Sequence, residues 1–209
     1  MQNIEINPNR EYILIGDISG SMNQSDKKCF GATRYNFMIE KFQQFIKQAE
    51  EYDPTGPDVI LFGEKVHIFP DTTLETIKNE FGKPVFEGFT FLDKAINAAY
   101  KLHRDKKSAF AKERKFHPGT ICMIFTDGAP TNQMAVEEAI VNIANSIDRE
   151  DEFNIYILTV GTIDGALQNW LDHLHDGLEP RLKQDFDIIH VNELELVDFF
   201  TAVKGKDHD

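Results

Sequence analysis

Several familiar functional classes leave no trace in this chain. It has only two cysteines in 209 residues, Cys29 and Cys122, and they lack the short spacing of a thiolate metal site. Cys122 lies in the apolar run Ile121-Cys122-Met123-Ile124-Phe125 and reads as a small buried hydrophobe. Cys29 lies in a polar loop, and nothing in the sequence favours a bridge between the two. No run approaches the roughly 20 apolar residues that span a bilayer. The opening Met1-Gln2-Asn3-Ile4-Glu5 has no basic stretch leading into an apolar one, so no secretory signal is expected and the expected location is cytoplasmic. Positive charge is in deficit: 22 Lys and Arg stand against 35 Asp and Glu, a net charge of −13. A phosphate backbone repels such a chain, which argues against nucleic acid as a partner. Neither G-x-G-x-x-G nor G-x-x-x-x-G-K-[ST] follows the first apolar run, so a nucleotide-binding domain is not expected. No Ser-His-Asp or Cys-His order stands in suitable strand context.

What is present is an ordinary globular composition, 41% hydrophobic and 27% charged, with an excess of phenylalanine: seventeen Phe against five Tyr and one Trp. The length suits one α/β domain over residues 1–209. Short apolar runs alternate with amphipathic ones. Tyr12-Ile13-Leu14-Ile15 reads as a buried strand, and Tyr35, Met38, Phe42, Phe45 and Ala49 follow at helical spacing. Val59-Ile60-Leu61-Phe62 and Val66-His67-Ile68-Phe69, joined by Gly63-Glu64-Lys65, predict a β-hairpin. Residues 72–81 predict a helix, and the stripe Leu92, Ala95, Ile96, Ala99, Leu102 predicts another starting near Phe91. Strands are predicted at residues 120–126, 153–160 and 188–191. Helices are predicted on the stripes Val136, Ala139, Ile140, Ile143, Ala144, Ile147; then Leu167, Trp170, Leu171, Leu174; and last Val197, Phe200, Val203. This alternation predicts a doubly wound, mostly parallel sheet covered by helices on both faces, with 66–69 as an antiparallel edge. Ligands of such sheets sit beyond the C-terminal strand ends, where the strand order reverses.

That rim is where the chemistry-bearing residues fall. The first strand runs into Asp17-Ile18-Ser19-Gly20-Ser21, which sets a carboxylate and two hydroxyls at alternate positions of a turn. Phe125-Thr126-Asp127-Gly128 ends a later strand with a second carboxylate, and Gly88-Phe89-Thr90-Phe91 presents a hydroxyl just before a helix. Oxygen donors of this kind suit a hard divalent cation: Mg²⁺ takes one or two carboxylates in an octahedral shell, and Mn²⁺ or Ca²⁺ are compatible with the same donors. Each fragment alone has a plainer reading. Asp and Ser are common turn residues, and Thr90 with Asp93 resembles a capping box.

In order and context, Asp-x-Ser-x-Ser after the first strand, a mid-chain loop Thr, and Thr-Asp-Gly after a later strand resemble the metal-ion-dependent adhesion site of von Willebrand factor A-type domains, here of a stand-alone intracellular type. The resemblance implies a six-stranded sheet, five strands parallel and one antiparallel at the edge. It implies a metal site at Asp17, Ser19, Ser21, Thr90 and Asp127, with Ser19, Ser21 and Thr90 as direct ligands and Asp17 and Asp127 acting through water. It further implies a protein partner that supplies a Glu or Asp to the ion, and no catalysis. Met22, Phe89, Phe91, Pro130 and Asn132 flank these loops and are candidate partner contacts. Residues 23–33 and 110–118 are longer than a minimal connection requires.

The rival reading is a Mg²⁺-dependent phosphohydrolase of the haloacid dehalogenase type, which also opens with a strand ending in Asp. Such enzymes need a second Asp two positions on, and Ser19 stands there; a hydroxyl lacks the pKa of a general acid or base. His173 and His175 do not share a helical face, so no zinc site is expected at them. The basic cluster in residues 101–115, with Arg104, Lys106, Lys107, Lys112 and Arg114, reads as a solvated helix face or as a contact for an acidic partner.

Overall fold

The structure, a computed structural model, describes residues 10–49, 55–176, 178, 186 and 188–193. The expected last helix on Val197, Phe200 and Val203 lies outside the described residues. The strands are β1 (Glu11–Asp17), β2 (Asp58–Phe62), β3 (Val66–Phe69), β4 (Thr120–Thr126), β5 (Phe153–Thr159) and β6 (Ile189–Glu193). The helices are α1 (Arg34–Ala49), α2 (Leu74–Glu80), α3 (Leu92–Lys112), α4 (Gln133–Ala144) and α5 (Gly165–Asp176), with short 3₁₀ turns at Gly20–Asn23 and Glu150–Glu152.

The six strands form one sheet in the order β3-β2-β1-β4-β5-β6. All neighbours pair in parallel except β2 and β3, whose hairpin is closed by the Gly63 N–H donating to Lys65 O at 3.0 Å. From β1 the chain steps outward to β2 and β3, then returns to β4 on the other side. The order therefore reverses between β1 and β4, the crevice-forming position of a doubly wound sheet.

Side chains alternate between the two faces of the pleat, and each face has its own core. Tyr12, Leu14, Leu61, Met123 and Phe125 pack with α1 and α2; Ile13, Ile15, Ile60, Phe62 and Ile124 pack with α3, α4 and α5. This two-sided burial explains why β1, β2, β4 and β5 read as unbroken apolar runs. The phenylalanine excess is spent on the first face: Phe42 of α1 meets Phe125 of β4 edge-on with centroids 4.9 Å apart, and Phe45 meets Tyr12 at 5.1 Å.

Three details depart from the sequence reading. The basic extension after Leu102 is helix as far as Lys112, and Lys106 and Lys107 turn toward carboxylates at the N-terminal edge of the sheet instead of facing only solvent. Cys29 is buried although its loop is polar, because that loop curls back on Asp26, whose carbonyl accepts from the N–H groups of Cys29 and Gly31. Neither cysteine is in a disulfide. Finally, Phe91 caps α3, and Thr90 and Asp93 form no capping box. Among the described residues no helix is long and apolar enough to cross a membrane.

Candidate metal centre

Register alone brings the two carboxylates together. β1 and β4 are adjacent and parallel, with Gly16 opposite Phe125, so Asp17 and the Thr126-Asp127 pair emerge side by side from the C-terminal edge. The Thr126 hydroxyl donates to Asp17 Oδ2 at 2.6 Å, and the Ser19 N–H donates to Asp17 Oδ1 at 2.7 Å. The following turn is fixed from outside: the Ile18 N–H donates to Phe62 O, and the Ile18 carbonyl accepts from the Glu87 N–H. Ser19 caps the 3₁₀ turn by its backbone, and its hydroxyl makes no cap bond. The Ser19 and Ser21 hydroxyl oxygens instead lie 3.1 Å apart, and the Ser21 hydroxyl donates to Asp127 Oδ1 at 2.8 Å. The plainer reading of these serines, as turn residues bonded to their own backbone, does not describe them.

Asp17, Ser19, Ser21 and Asp127 are thus joined in one hydrogen-bonded group. The Thr90 hydroxyl makes no hydrogen bond to them. Its loop is tied to the loop after β4 by two bonds: the Thr90 N–H donates to Thr131 Oγ1 and the Thr131 N–H donates to Thr90 O, both at 3.0 Å. All five expected donors therefore belong to three loops on one rim of the sheet.

The electrostatics of the group are uneven. Asp17 is fully buried, and no cationic side chain among the described residues pairs with it. Burial pushes its carboxyl up to about 6; the bonds from Thr126 and Ser19 pull the other way, and the neighbouring Asp127 carboxylate adds to the rise. Asp127, also buried, has a cation at hand: Arg34, the first residue of α1, donates from Nη1 to Asp127 Oδ2 at 2.6 Å. The other arm of Arg34 donates to Asp26 Oδ2 at 2.9 Å and to the Thr162 carbonyl at 3.1 Å. Burial would raise the Asp26 carboxyl, but the N–H groups of Thr162 and Lys28 and the Arg34 guanidinium hold it well below the usual carboxylate range.

Arg34, Asp26, Thr162 and Thr131 escaped the sequence reading. One signal was available for Arg34: a cation opening a helix opposes the helix dipole, and no acidic residue occupies that first turn. Of the expected partner contacts, Phe89 is half exposed and stacks on Phe91, with ring centroids 5.6 Å apart. Asn132 is exposed and caps α4 by accepting from the Ala135 N–H at 3.1 Å. Met22 and Pro130 are buried, so neither is a rim contact. The 3₁₀ turn rotates the Met22 side chain into the core between the sheet and α1.

The donor set fits a hard cation. Every group is an oxygen, two are carboxylates, three are hydroxyls, and a buried carboxylate lacks a positive partner. Among the described residues no cluster of three or more His, Cys, Asp or Glu could hold a metal ion, so any ion here depends on the hydroxyls.

No family model matches the chain, and no curated protein matches it in sequence. Solved structures do resemble it. The manganese-loaded TRAP protein of Plasmodium vivax superposes with a TM-score of 0.52 at 12% identity, over 93% of this chain and 75% of that one. Proximal thread matrix protein 1 from the mussel byssus, with a zinc-occupied MIDAS motif, superposes with a TM-score of 0.54 at 16% identity, over 93% of this chain and 46% of that one. The chain thus spans under half the length of the mussel protein. These likenesses bear on the fold: a mostly parallel, Rossmann-like six-stranded sheet with one antiparallel edge strand.

Proposed function

We propose that this von Willebrand factor A-like domain binds one divalent cation, Mg²⁺ in the cell, at Asp17, Ser19, Ser21, Thr90 and Asp127, and uses it to hold a carboxylate of a protein partner. The observation that carries the reading is Asp17, a fully buried carboxylate without a cation, hydrogen-bonded into a group of hydroxyls at the switch point of the sheet. Ser19, Ser21 and Thr90 are the direct ligands in this reading, and Asp17 and Asp127 act through water. Mn²⁺ and Ca²⁺ are the alternatives the donors allow. With mostly neutral ligands a bound ion keeps part of its positive charge, and that charge is what attracts a Glu or Asp from the partner. Phe89, Phe91 and Asn132 border the site and supply the surrounding contact. The chain acts as a cytoplasmic binding module, not as an enzyme. A phosphohydrolase of the haloacid dehalogenase type needs its first carboxylate presented to substrate, whereas Asp17 is fully buried and accepts a hydrogen bond at each oxygen.

Calorimetric titration of EDTA-stripped protein with Mg²⁺ and Mn²⁺ tests the reading. One-site binding by the wild type and its loss in Asp127→Ala are expected. A wild type that binds neither ion overturns it.

A further inference from the structure

Arg34 sits where an isolated helix would not place a cation, at the positive end of the α1 dipole. Two carboxylates, Asp26 and Asp127, hold it there, and the Thr162 carbonyl accepts a further bond. The chain makes room for it at Gly161, whose φ is +77°; a Cβ at that position would lie 2.7 Å from Arg34 Nε and 2.9 Å from Asp26 Oδ2. The Arg34 side chain is 13% exposed, so its position is set by packing as well as by charge.

This arrangement divides the oxygens of Asp127. Oδ1 receives the Ser21 hydroxyl, on the side of the five expected metal donors. Oδ2 receives the guanidinium at 2.6 Å. A divalent ion approaching Oδ2 meets that positive charge, so Asp127, which acts through water on a six-coordinate ion, cannot be drawn in as a ligand with both oxygens. Mg²⁺ fills an octahedron with single-oxygen ligands and retained water. Ca²⁺ takes six to eight oxygens and commonly gains the extra ones from carboxylates that chelate with both.

We infer that Arg34 determines the metal specificity of this site: by occupying Oδ2 of Asp127 it restricts that carboxylate to one oxygen and selects a small six-coordinate cation over Ca²⁺. The inference rests on the metal-binding reading above. Arg34 itself does not touch the ion; it acts through Asp127. Its charge alone weakens all divalent ions alike, because Mg²⁺, Mn²⁺ and Ca²⁺ carry the same charge. The ratio of affinities, and not any single affinity, therefore reports the division of the oxygens.

The test titrates EDTA-stripped wild type, Arg34→Gln and Arg34→Lys with Mg²⁺, Mn²⁺ and Ca²⁺ separately by calorimetry, with circular dichroism of each variant. The wild type is expected to bind Mg²⁺ at least about tenfold more tightly than Ca²⁺. Arg34→Gln is expected to bind all three more tightly and to lose most of that preference. Arg34→Lys keeps a cation beside Oδ2 and is expected to keep the preference. A wild type that binds no divalent ion overturns the metal site, and this inference with it. A wild type that binds Ca²⁺ as tightly as Mg²⁺ overturns the inference alone, as does a folded Arg34→Gln with an unchanged ratio. Should Arg34→Gln not fold, loss of the preference in Arg34→Lys is the overturning result.

Discussion

The lysine-paired carboxylates at one edge of the sheet and Asp17 at the other are treated in opposite ways. At the N-terminal edge each one faces an ammonium group. Lys106 Nζ lies 2.9 Å from Glu11 and 3.2 Å from Asp58, and Lys107 Nζ lies 2.6 Å from the buried Glu152. Burial would raise the Glu152 carboxyl, yet Lys107, the Asp148 N–H and His103 outweigh it and hold it below the usual value. At the C-terminal edge Asp17 is equally buried, has hydrogen bonds but no cation, and rises to about 6. Arg34 compensates Asp127 and Asp26 at that edge, so among these carboxylates Asp17 is the one left without positive charge. The N-terminal edge is finished by the chain's own side chains, whereas at the C-terminal edge the proposed cation would supply what Asp17 lacks.

The comparison can be broken most severely at the compensated end. Lys107→Met leaves Glu152 buried with only the Asp148 N–H and the neutral His103 beside it, and a loss of about 3 kcal/mol is expected from the urea midpoint. A loss near zero would show that water already compensates Glu152. The matching change at the other end has the opposite character. Asp17→Asn keeps the shape and an acceptor for the Ser19 N–H, so metal-free stability should not fall, because the variant sheds a buried charge. What disappears is the response to metal. Mg²⁺ at a hundred times its dissociation constant should raise wild-type stability by about 2.7 kcal/mol and leave the variant unmoved. A variant that still gains stability would remove Asp17 from the site.

A smaller effect separates the ends by pH. His117 at the N-terminal edge accepts the Gly119 N–H on Nδ1, and burial drives its imidazole down to about 4. The folded value lies below the unfolded one, near 6.5, so the stability from keeping it neutral is fully present above pH 6.5 and is lost as the pH falls toward 4. By pH 5.5 this loss should be about 1 kcal/mol. Denaturation at pH 7.5 and 5.5 should show a shallower pH dependence in His117→Phe than in the wild type, and equal dependences would clear His117 of the role. The mildest test is Gly161→Ala. A side chain at positive φ costs about 1 kcal/mol, and this one also crowds Arg34 and Asp26. Thermal melting should register a small destabilisation; a melting temperature at or above the wild-type value would show that the pocket for the guanidinium is looser than its geometry indicates.

The sheet was legible in the sequence because it is buried on both faces: unbroken runs such as 121–125 and 59–62 have no other use in a chain of this composition. The proposed metal donors stand out in the sequence because each lies at a strand or helix boundary, within a short motif. What stayed hidden depends on distance along the chain or on rotation about an axis. Arg34 meets Asp127 across 93 residues, and Asp26 meets Thr162 across 136. Met22 follows two metal-loop serines and reads as exposed until the 3₁₀ turn rolls it inward. Lys106 and Lys107 read as a solvated face because nothing local shows that the lower end of α3 overhangs the start of β1, β2 and β5.

The long span between the two halves of the site also orders events in time. Ser21 and Asp127 are separated by 106 residues, and Thr126 and Asp17 by 109. Contacts so remote in the chain form only after the large loop between them has been closed, so β1–β4 pairing carries a high loop-closure cost. Until β4 docks, Asp17 and its serines form an incomplete set, so an ion has little to nucleate. Once docking is complete, the proposed ion between the tips of β1 and β4 would work as a latch: it would slow the parting of the two halves without hastening their meeting.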